Sequence, residues 1–330
     1  MFNVKLNRRS FCMTAALGLM SAAAAFAQAP AYPAHPIKLI VPSTPGGGPD
    51  IVGRLVAQSL APRFGQIFIE NIAGAAGQVG TLAVVRAAPD GHTLLFAPPS
   101  PISIAENFEP KPPYDAFRDL VPLGLIGRNP ALIVINSSLK AATLREFIAL
   151  AKAEPGKFFY GSPGQGNAFH LITELVSGQA GIRMTHVPYK GSGPAVVALL
   201  AGDVQFLVQS AEAVREHVKN GRLRALATLE SSRLAAFPDL PTLAESGLAN
   251  LNIMNWYGVF APSSTPRSVI SLWERELLAL AKDPAFAAKM REMSFDPVAF
   301  DSKTFVQMLA AERTQWQAVI KSAGIETKKQ

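Results

Sequence analysis

Three times in this chain a strand-length apolar run breaks at a glycine-rich turn that opens a helix, and this recurring unit settles the fold class. In the first, Ile37-Lys38-Leu39-Ile40-Val41 reads as a buried strand and Pro42 to Gly48 as the turn. The segment carrying Ile51, Val52, Leu55, Val56 and Leu60 then reads as a helix with one apolar face. The second unit runs from a strand at 157–160 through Gly161-Ser162-Pro163-Gly164-Gln165-Gly166-Asn167 to a helix from Ala168. The third places Gly191-Ser192-Gly193 between a strand at 184–189 and a helix from Pro194. Further strands at 67–70 and 92–96, with a helix after Gly74, Gly77 and Gly80, give the order β-α-β-α-β. That order calls for parallel strands joined by right-handed crossovers.

The proline-dense stretch from Pro98 to Pro113 reads as a loop over a sheet edge. Strands are expected at 121–126 and 131–135, then a helix capped by Thr143 and ended by Glu154-Pro155-Gly156. Strands at 204–208, 223–227 and 256–261 follow, and helices at 266–281 and 302–323 close the chain. The reading is an α/β protein of two lobes, 32–130 plus 251–330 and 131–250, each a mainly parallel sheet flanked by helices with a cleft between.

The first residues point to export. Lys5, Arg8 and Arg9 precede a short apolar run, and Ala25-Phe26-Ala27 fits a signal-peptidase site, with Ala27-Gln28-Ala29 as an alternative. The run is too short and alanine-rich for a membrane anchor. Arg8-Arg9-Ser10-Phe11 is compatible with a twin-arginine signal or with an ordinary one. Cleavage near Ala27 makes 1–27 a signal peptide and places the protein in the periplasm. The one cysteine, Cys12, falls in that leader, away from the cleavage point, so neither a lipid anchor nor a disulfide is expected.

Nearly half the residues are apolar and 17% are charged, which argues against disorder. The net charge of +7 includes three leader cations with no acid beside them, leaving +4 for the remainder. The cations are scattered without aromatic interleaving, so a nucleic-acid surface is excluded.

The turn holding Pro45, Gly46, Gly47, Gly48, Pro49 and Asp50 is the strongest local feature. Its glycines let backbone approach a ligand, Pro49 suits the first helical turn, and the helix dipole favours an anion. A ligand-free tight turn meets the same constraints. The turn lacks the Lys-Ser/Thr of a phosphate-binding Walker loop. The segment with Ser162, Gly164, Gly166, Asn167 and His170 holds the equivalent place in the second lobe. Two such turns across a cleft would offer amide donors to both ends of a diacid. His170 fits either a carboxylate contact or a packed structural role, Tyr189 flanks the third turn, and Lys190 reads as a solvated charge. Catalysis lacks a nucleophile elbow, a metalloprotease helix and a cysteine. His35, His92, His170, His186 and His217 stand apart from acids at ligand spacing, so no metal and no cofactor are expected.

Several segments resemble the Bug family, the solute receptors of tripartite tricarboxylate transporters. They are Tyr32-Pro-Ala-His-Pro-Ile-Lys-Leu-Ile-Val-Pro through Gly-Gly-Gly-Pro-Asp50, Ala88-Pro-Asp-Gly-His-Thr-Leu-Leu95 and His186-Val-Pro-Tyr-Lys-Gly-Ser-Gly-Pro194. Gly221-Arg-Leu-Arg-Ala-Leu-Ala227 and Phe237-Pro-Asp-Leu-Pro-Thr-Leu-Ala-Glu-Ser-Gly247 complete the set. The resemblance implies a two-lobed, type II-like periplasmic binding protein fold whose cleft turns grip a small organic carboxylate. It implies a non-enzymatic, monomeric receptor that hands its ligand to membrane transporter subunits; a sensor subunit of a signalling system is the alternative. It carries over Trp256 to the cleft edge and Ser100, Gln209 and Ser210 to the ligand site. Three departures remove donors or charge: Pro49 for Thr, Ala97-Pro98-Pro99-Ser100 for a Gly/Thr/Ser-rich stretch, and Gln209-Ser210 for an Asp-Asn pair. The lost acid disfavours a ligand with a free ammonium group.

Overall fold

The computed structural model describes residues 32–322 except 109, 250 and 252, so the expected leader with Cys12 and its cleavage site lies outside the described residues. The chain runs through β1 (Ile37–Val41), α1 (Gly48–Phe64), β2 (Ile67–Asn71), α2 (Gln78–Val85), β3 (Thr93–Ala97), α3 (Ala116–Asp119) and β4 (Leu120–Arg128). It continues with β5 (Ala131–Asn136), α4 (Leu144–Ala153), β6 (Phe159–Ser162), α5 (Ala168–Ala180), β7 (Thr185–Pro188) and α6 (Ser192–Ala201). Then come β8 (Phe206–Ser210), α7 (Ala211–Lys219), β9 (Leu223–Thr228), β10 (Trp256–Pro262), α8 (Arg267–Lys282), α9 (Pro284–Glu292), β11 (Asp296–Phe300) and α10 (Ser302–Ser322).

Two sheets result, one ordered β11-β4-β10-β3-β1-β2 and one ordered β7-β6-β8-β5-β9. The first draws its strands from 37–128 and 256–300, the second from 131–228. Each is mixed, where mainly parallel sheets were expected. β1 runs parallel to β2 and β3, and β6 to β7 and β8, through the βαβ units. β4, β5, β9, β10 and β11 pair antiparallel. β4 and β10 carry the chain out of and back into the first sheet, and β5 brings it into the second. These segments enter their sheets without a helical crossover, so nothing forces them parallel.

Strand β5 shows why its sequence lacks alternation. Ile133 and Ile135 enter a core with Phe147, Tyr160, Phe206 and Val208, while Leu132 and Val134 enter another with Leu199, Leu207 and Val214. A strand buried on both faces must be apolar throughout. Helix α10 serves both lobes: Phe305 and Leu309 pack with Trp256 and Phe260, whereas Trp316, Val319 and Ile320 join the Phe147 core. The C-terminal segment is therefore a strap across the lobes as well as part of the first.

The stretch 98–113 differs from the surface loop expected of it. Ser100–Ile104 forms a single wide helical turn, all five residues buried, followed by a tight turn at Ala105–Asn107. Pro101 occupies its first turn, where a missing N–H leaves no bond unmade. Ile104 and Phe108 drive the burial by packing into the Phe147 core. Helices α7 and α9 and strand β11 have no counterpart in the sequence reading; β11 contains Pro297, which a sheet-edge strand tolerates.

Candidate functional site

Strand β1 delivers the chain through a turn to the N-terminus of α1, β2 to α2, β6 to α5 and β7 to α6. All four turns reach one cavity of about 520 Å³ between the two sheets. Gly47 and Gly48, Gly74 to Gly77, Gly164 to Phe169 without Gly166, and Tyr189 to Ser192 line it, with Pro98, Ser100, Ser210, Asn255 and Tyr257. A more open depression of about 920 Å³ lies on the second lobe alone, among residues 137–145 and 218–246. It brings no two lobes together, so the smaller cavity is the better ligand site.

The turns are built to leave donors over. Gly47 caps α1, Gly77 caps α2 and Gly191 caps α6, none with a side-chain acceptor. First-turn N–H groups there lack the usual cap, and each helix adds its positive dipole end. Only α5 among the four carries a conventional cap: Asn167 Oδ1 accepts from Phe169 N at 2.9 Å. Ala75 (φ 46°) and Ala76 (φ 53°) both sit in the left-handed region, side by side on the cavity wall. Such alanines cost roughly 1–2 kcal/mol each, and strain of this kind gathers at ligand clamps. Lys190 is the one charged residue in the described lining, and no carboxylate is among it.

The lobes touch around this cavity. Ser100 Oγ, from the first, accepts from Asn167 Nδ2 at 3.2 Å and Ala168 N at 3.3 Å in the second. Arg128 bridges Glu230 at 3.4 Å and Asp296 at 2.9 Å beside the β4–β5 connection. Behind the lining, Glu212 of α7 approaches Gly48 and the Tyr257 hydroxyl. Its Oε1 accepts from Ser210 Oγ at 2.6 Å, while Oε2 is buried without a partner. Burial lifts its pKa to about 7 against the lowering pull of the Ser210 and backbone hydrogen bonds, which favours the uncharged acid.

A family model described as tripartite tricarboxylate transporter family receptor, TctC, matches residues 52–325. The chain belongs to this family. It is 36% identical over 321 residues to Protein BugT of Bordetella pertussis, an alignment covering 96% of this chain and 98% of BugT. A solved R. palustris structure with adipate superposes with a TM-score of 0.87 at 30% identity, covering 90% of this chain and 100% of that one. MatC from Rhodopseudomonas palustris with bound malate gives 0.82 at 26% identity, covering 88% and 100%. The architecture is the two-lobed fold of periplasmic binding proteins, and the family is one of solute-binding receptors.

Within this receptor fold the expected site residues divide. Gly47, Gly48, Ser100, Gly164, Asn167, Tyr189 and Ser210 line the cavity. Pro45, Gly46, Asp50, Ser162, Gly166, His170, Gln209 and Trp256 do not. Pro45 and Gly46 lie on the exposed outside of their turn. Asp50 turns away, accepting from Gly46 N at 2.9 Å and pairing with Arg54 at 2.9 Å. Its pKa is lowered: the Arg54, Gly46 and Asn71 hydrogen bonds together outweigh burial, the largest single influence, which raises it. It thus holds the turn in shape.

Ser162 Oγ is spent within the second turn, 2.6 Å from His186 Nε2 and 3.1 Å from the Gly164 carbonyl. Gly166 donates its N–H to His170 Nδ1 at 3.3 Å. His170 stacks on His186 with centroids 4.1 Å apart, and His186 on Tyr160 at 4.8 Å. Burial drives the His170 pKa down to about 4, and burial with the neighbouring His170 takes His186 to about 3, so both rings are neutral supports. Gln209 Oε1 accepts from Ser210 N at 2.9 Å and from Ser192 Oγ at 3.3 Å, bracing two turns from behind. Trp256 is fully buried with its indole N–H on Glu312 at 2.9 Å. Its neighbours Asn255 and Tyr257 line the cavity instead, because adjacent strand residues face opposite sides. Ala75, Ala76, Asn255, Tyr257 and Lys190 are among the wall residues the sequence reading missed.

Proposed function

We propose that this chain is an exported periplasmic receptor, processed near Ala27, that captures a small organic carboxylate between its lobes. It then delivers that ligand to the membrane subunits of a tripartite tricarboxylate-type transporter. One observation carries the reading: four helix N-termini, three without a side-chain cap, converge on a cavity whose described lining holds Lys190 and no acid. Free amides, dipoles and one cation favour an anion over a neutral or cationic ligand.

Pro42, Pro49, Pro98, Pro163, Phe169 and Tyr189 give the wall an apolar part, interleaved with the neutral polar side chains of Thr44, Gln165, Asn167, Ser210 and Asn255. An ammonium group would find no carboxylate in the described lining, and Glu212 lies behind Gly48 with its pKa lifted to about 7 by burial. The ligand is therefore a non-amino carboxylate with an aliphatic or aromatic body. Adipate and malate, bound by the two relatives, are the first probes. Closure swings the lobes about Asn129-Pro130 and the 229–255 connection, with ligand shifting the population to the closed form.

The test is thermal unfolding of tag-free mature protein, refolded without carried-over ligand, against mono-, di- and tricarboxylates and their amides. An acid at 100 times its dissociation constant raises the midpoint by about 4 °C, and its amide leaves it unchanged. Equal shifts from acid and amide, or a response confined to aspartate and glutamate, would overturn the reading. Co-purification with the transporter's membrane subunits in the presence of that acid tests the delivery step.

A further inference from the structure

The sequence keeps His35 far from Asp90 and His92, and no metal site was expected from it, yet the fold brings the three together. His35 stands two residues before β1, and Asp90 and His92 form the turn entering β3. β1 and β3 are parallel neighbours, with Lys38 opposite Thr93 and Lys38 N donating to the His92 carbonyl at 2.8 Å. That pairing aligns the strand starts and stacks the His35 and His92 rings with centroids 3.7 Å apart. His92 Nδ1 is 3.4 Å from Asp90 Oδ1, and one ligand atom from each of the three residues lies within 4.8 Å of the others.

We propose that His35, Asp90 and His92 form a binding site for a borderline divalent cation of the zinc type, separate from the carboxylate cleft. Two imidazoles and one carboxylate are the donor set such ions take, with remaining positions left to water. Mg²⁺ and Ca²⁺, which want oxygen donors, are excluded by the two nitrogens. Metal–ligand bonds of about 2.1 Å bring donor atoms to roughly 3.4 Å from one another in a tetrahedral site. Contraction by about an ångström is required, and exposed His35 and Asp90 can supply it around buried His92.

Supporting contacts are already present. Asp90 Oδ1 accepts from His92 N at 2.9 Å, which keeps the carboxylate beside the His92 ring, and His35 Nδ1 lies 3.3 Å from the Pro36 carbonyl. A proton on that Nδ1 leaves Nε2 as the lone-pair donor. The site lies at the N-terminal ends of two five-residue strands whose other ends lead to the cleft turns, about 16 Å away. Bound metal would tie the segment entering β1 to the β3 turn without touching the ligand cavity.

The test is calorimetric titration of Zn²⁺ into chelator-treated, tag-free mature protein, with thermal unfolding alongside and Mg²⁺ as control. One equivalent of Zn²⁺ should bind and raise the midpoint by about 4 °C at 100 times its dissociation constant. His35→Gln and Asp90→Asn should each weaken Zn²⁺ at least tenfold while leaving the apo midpoint and the carboxylate-induced shift unchanged. Those two exposed positions spare the buried His92. No Zn²⁺ uptake by the wild type, or undiminished uptake by the double variant, would overturn the proposal whatever the carboxylate panel shows.

Discussion

At Gly48 the first lobe lies close against Glu212 of the second, so Gly48→Ala is a direct probe of closure. A Cβ there would stand 2.4 Å from Glu212 Oε1 and 2.4 Å from the Tyr257 hydroxyl, about an ångström inside normal contact. Both atoms end flexible side chains, but each is tethered. Ser210 Oγ donates to Glu212 at 2.6 Å, and Asn129 Nδ2 to Tyr257 at 2.5 Å. Overpacking of this kind costs about 1–2 kcal/mol.

Gly48 and Tyr257 belong to the first lobe and Glu212 to the second, so parting the lobes relieves the clash with Glu212 and leaves the one with Tyr257. The Glu212 part of the penalty then falls on the closed, ligand-bound state. It should weaken carboxylate binding about 5- to 30-fold by isothermal titration. The ligand-free midpoint should fall by less than the ligand-bound one, since only the Tyr257 contact remains in the open form and alanine restricts the unfolded chain more than glycine. Glu212→Ala in the same background should recover part of the lost affinity, a non-additive result expected of side chains in contact. Undiminished affinity, or a ligand-free midpoint that falls enough to explain the loss, would refute the closure argument.

Other consequences can be checked directly. The depressed pKa values of His170 and His186 contribute stability that is whole above pH 6.5 and is lost as pH falls from 6.5 toward 4, about 1.4 kcal/mol per pH unit for each ring. The raised pKa values of Glu212 and Glu312, about 7, act oppositely, their contribution being whole below 4.5 and lost as pH rises through 7. Urea midpoints of the wild type should therefore be nearly flat from pH 4.5 to 6.5, and His170→Gln should tilt the profile toward greater stability in acid; an untilted profile contradicts the assignment. Lys190→Gln should weaken the carboxylate up to about 5-fold and reduce the salt dependence of binding, both read by titration at two ionic strengths. Glu312→Leu orphans the Trp256 N–H, which it meets at 2.9 Å, and leaves the Ser103 hydroxyl only the Pro99 carbonyl at 3.3 Å; it should cost about 1–3 kcal/mol by urea unfolding, whereas Glu312→Gln keeps an acceptor and costs less.

The βαβ units and their glycine turns were legible because strand period, turn chemistry and helix period agree within each short segment. What failed was decided elsewhere. Trp256 was carried to the cleft by resemblance, but the strand's alternation gives that role to Asn255 and Tyr257 on either side, and only the structure fixes which face is which. Ala75 and Ala76 carry no mark of their left-handed conformation, since alanine ordinarily signals helix. Lys190 is exposed, as its type predicts, and still reaches the cavity because β7 ends beside it. Asp50 and His170 are polar residues in the right turns, but each spends its hydrogen-bonding capacity holding its own turn together. Sequence proximity to a ligand turn does not separate support from contact; direction of the side chain does.

That division has a consequence for specificity. If amides and dipoles supply the grip on a carboxylate, they hold any carboxylate with similar strength, because backbone carries no record of the ligand's body. Discrimination must then come from the length and shape of the apolar wall and from what the cavity omits. Pro49 and Pro98 remove N–H donors that a polar ligand would use, and the absence of a described acid in the lining removes the partner an ammonium group needs. Replacing Pro98 or Phe169 should therefore reorder the acids bound without abolishing binding, whereas strain at the capless turns of α1 and α6 should weaken every acid alike. A titration matrix of those variants against aliphatic and aromatic acids separates the two effects. Uniform loss from a wall substitution would show that the side chains, and not the amides, hold the anion.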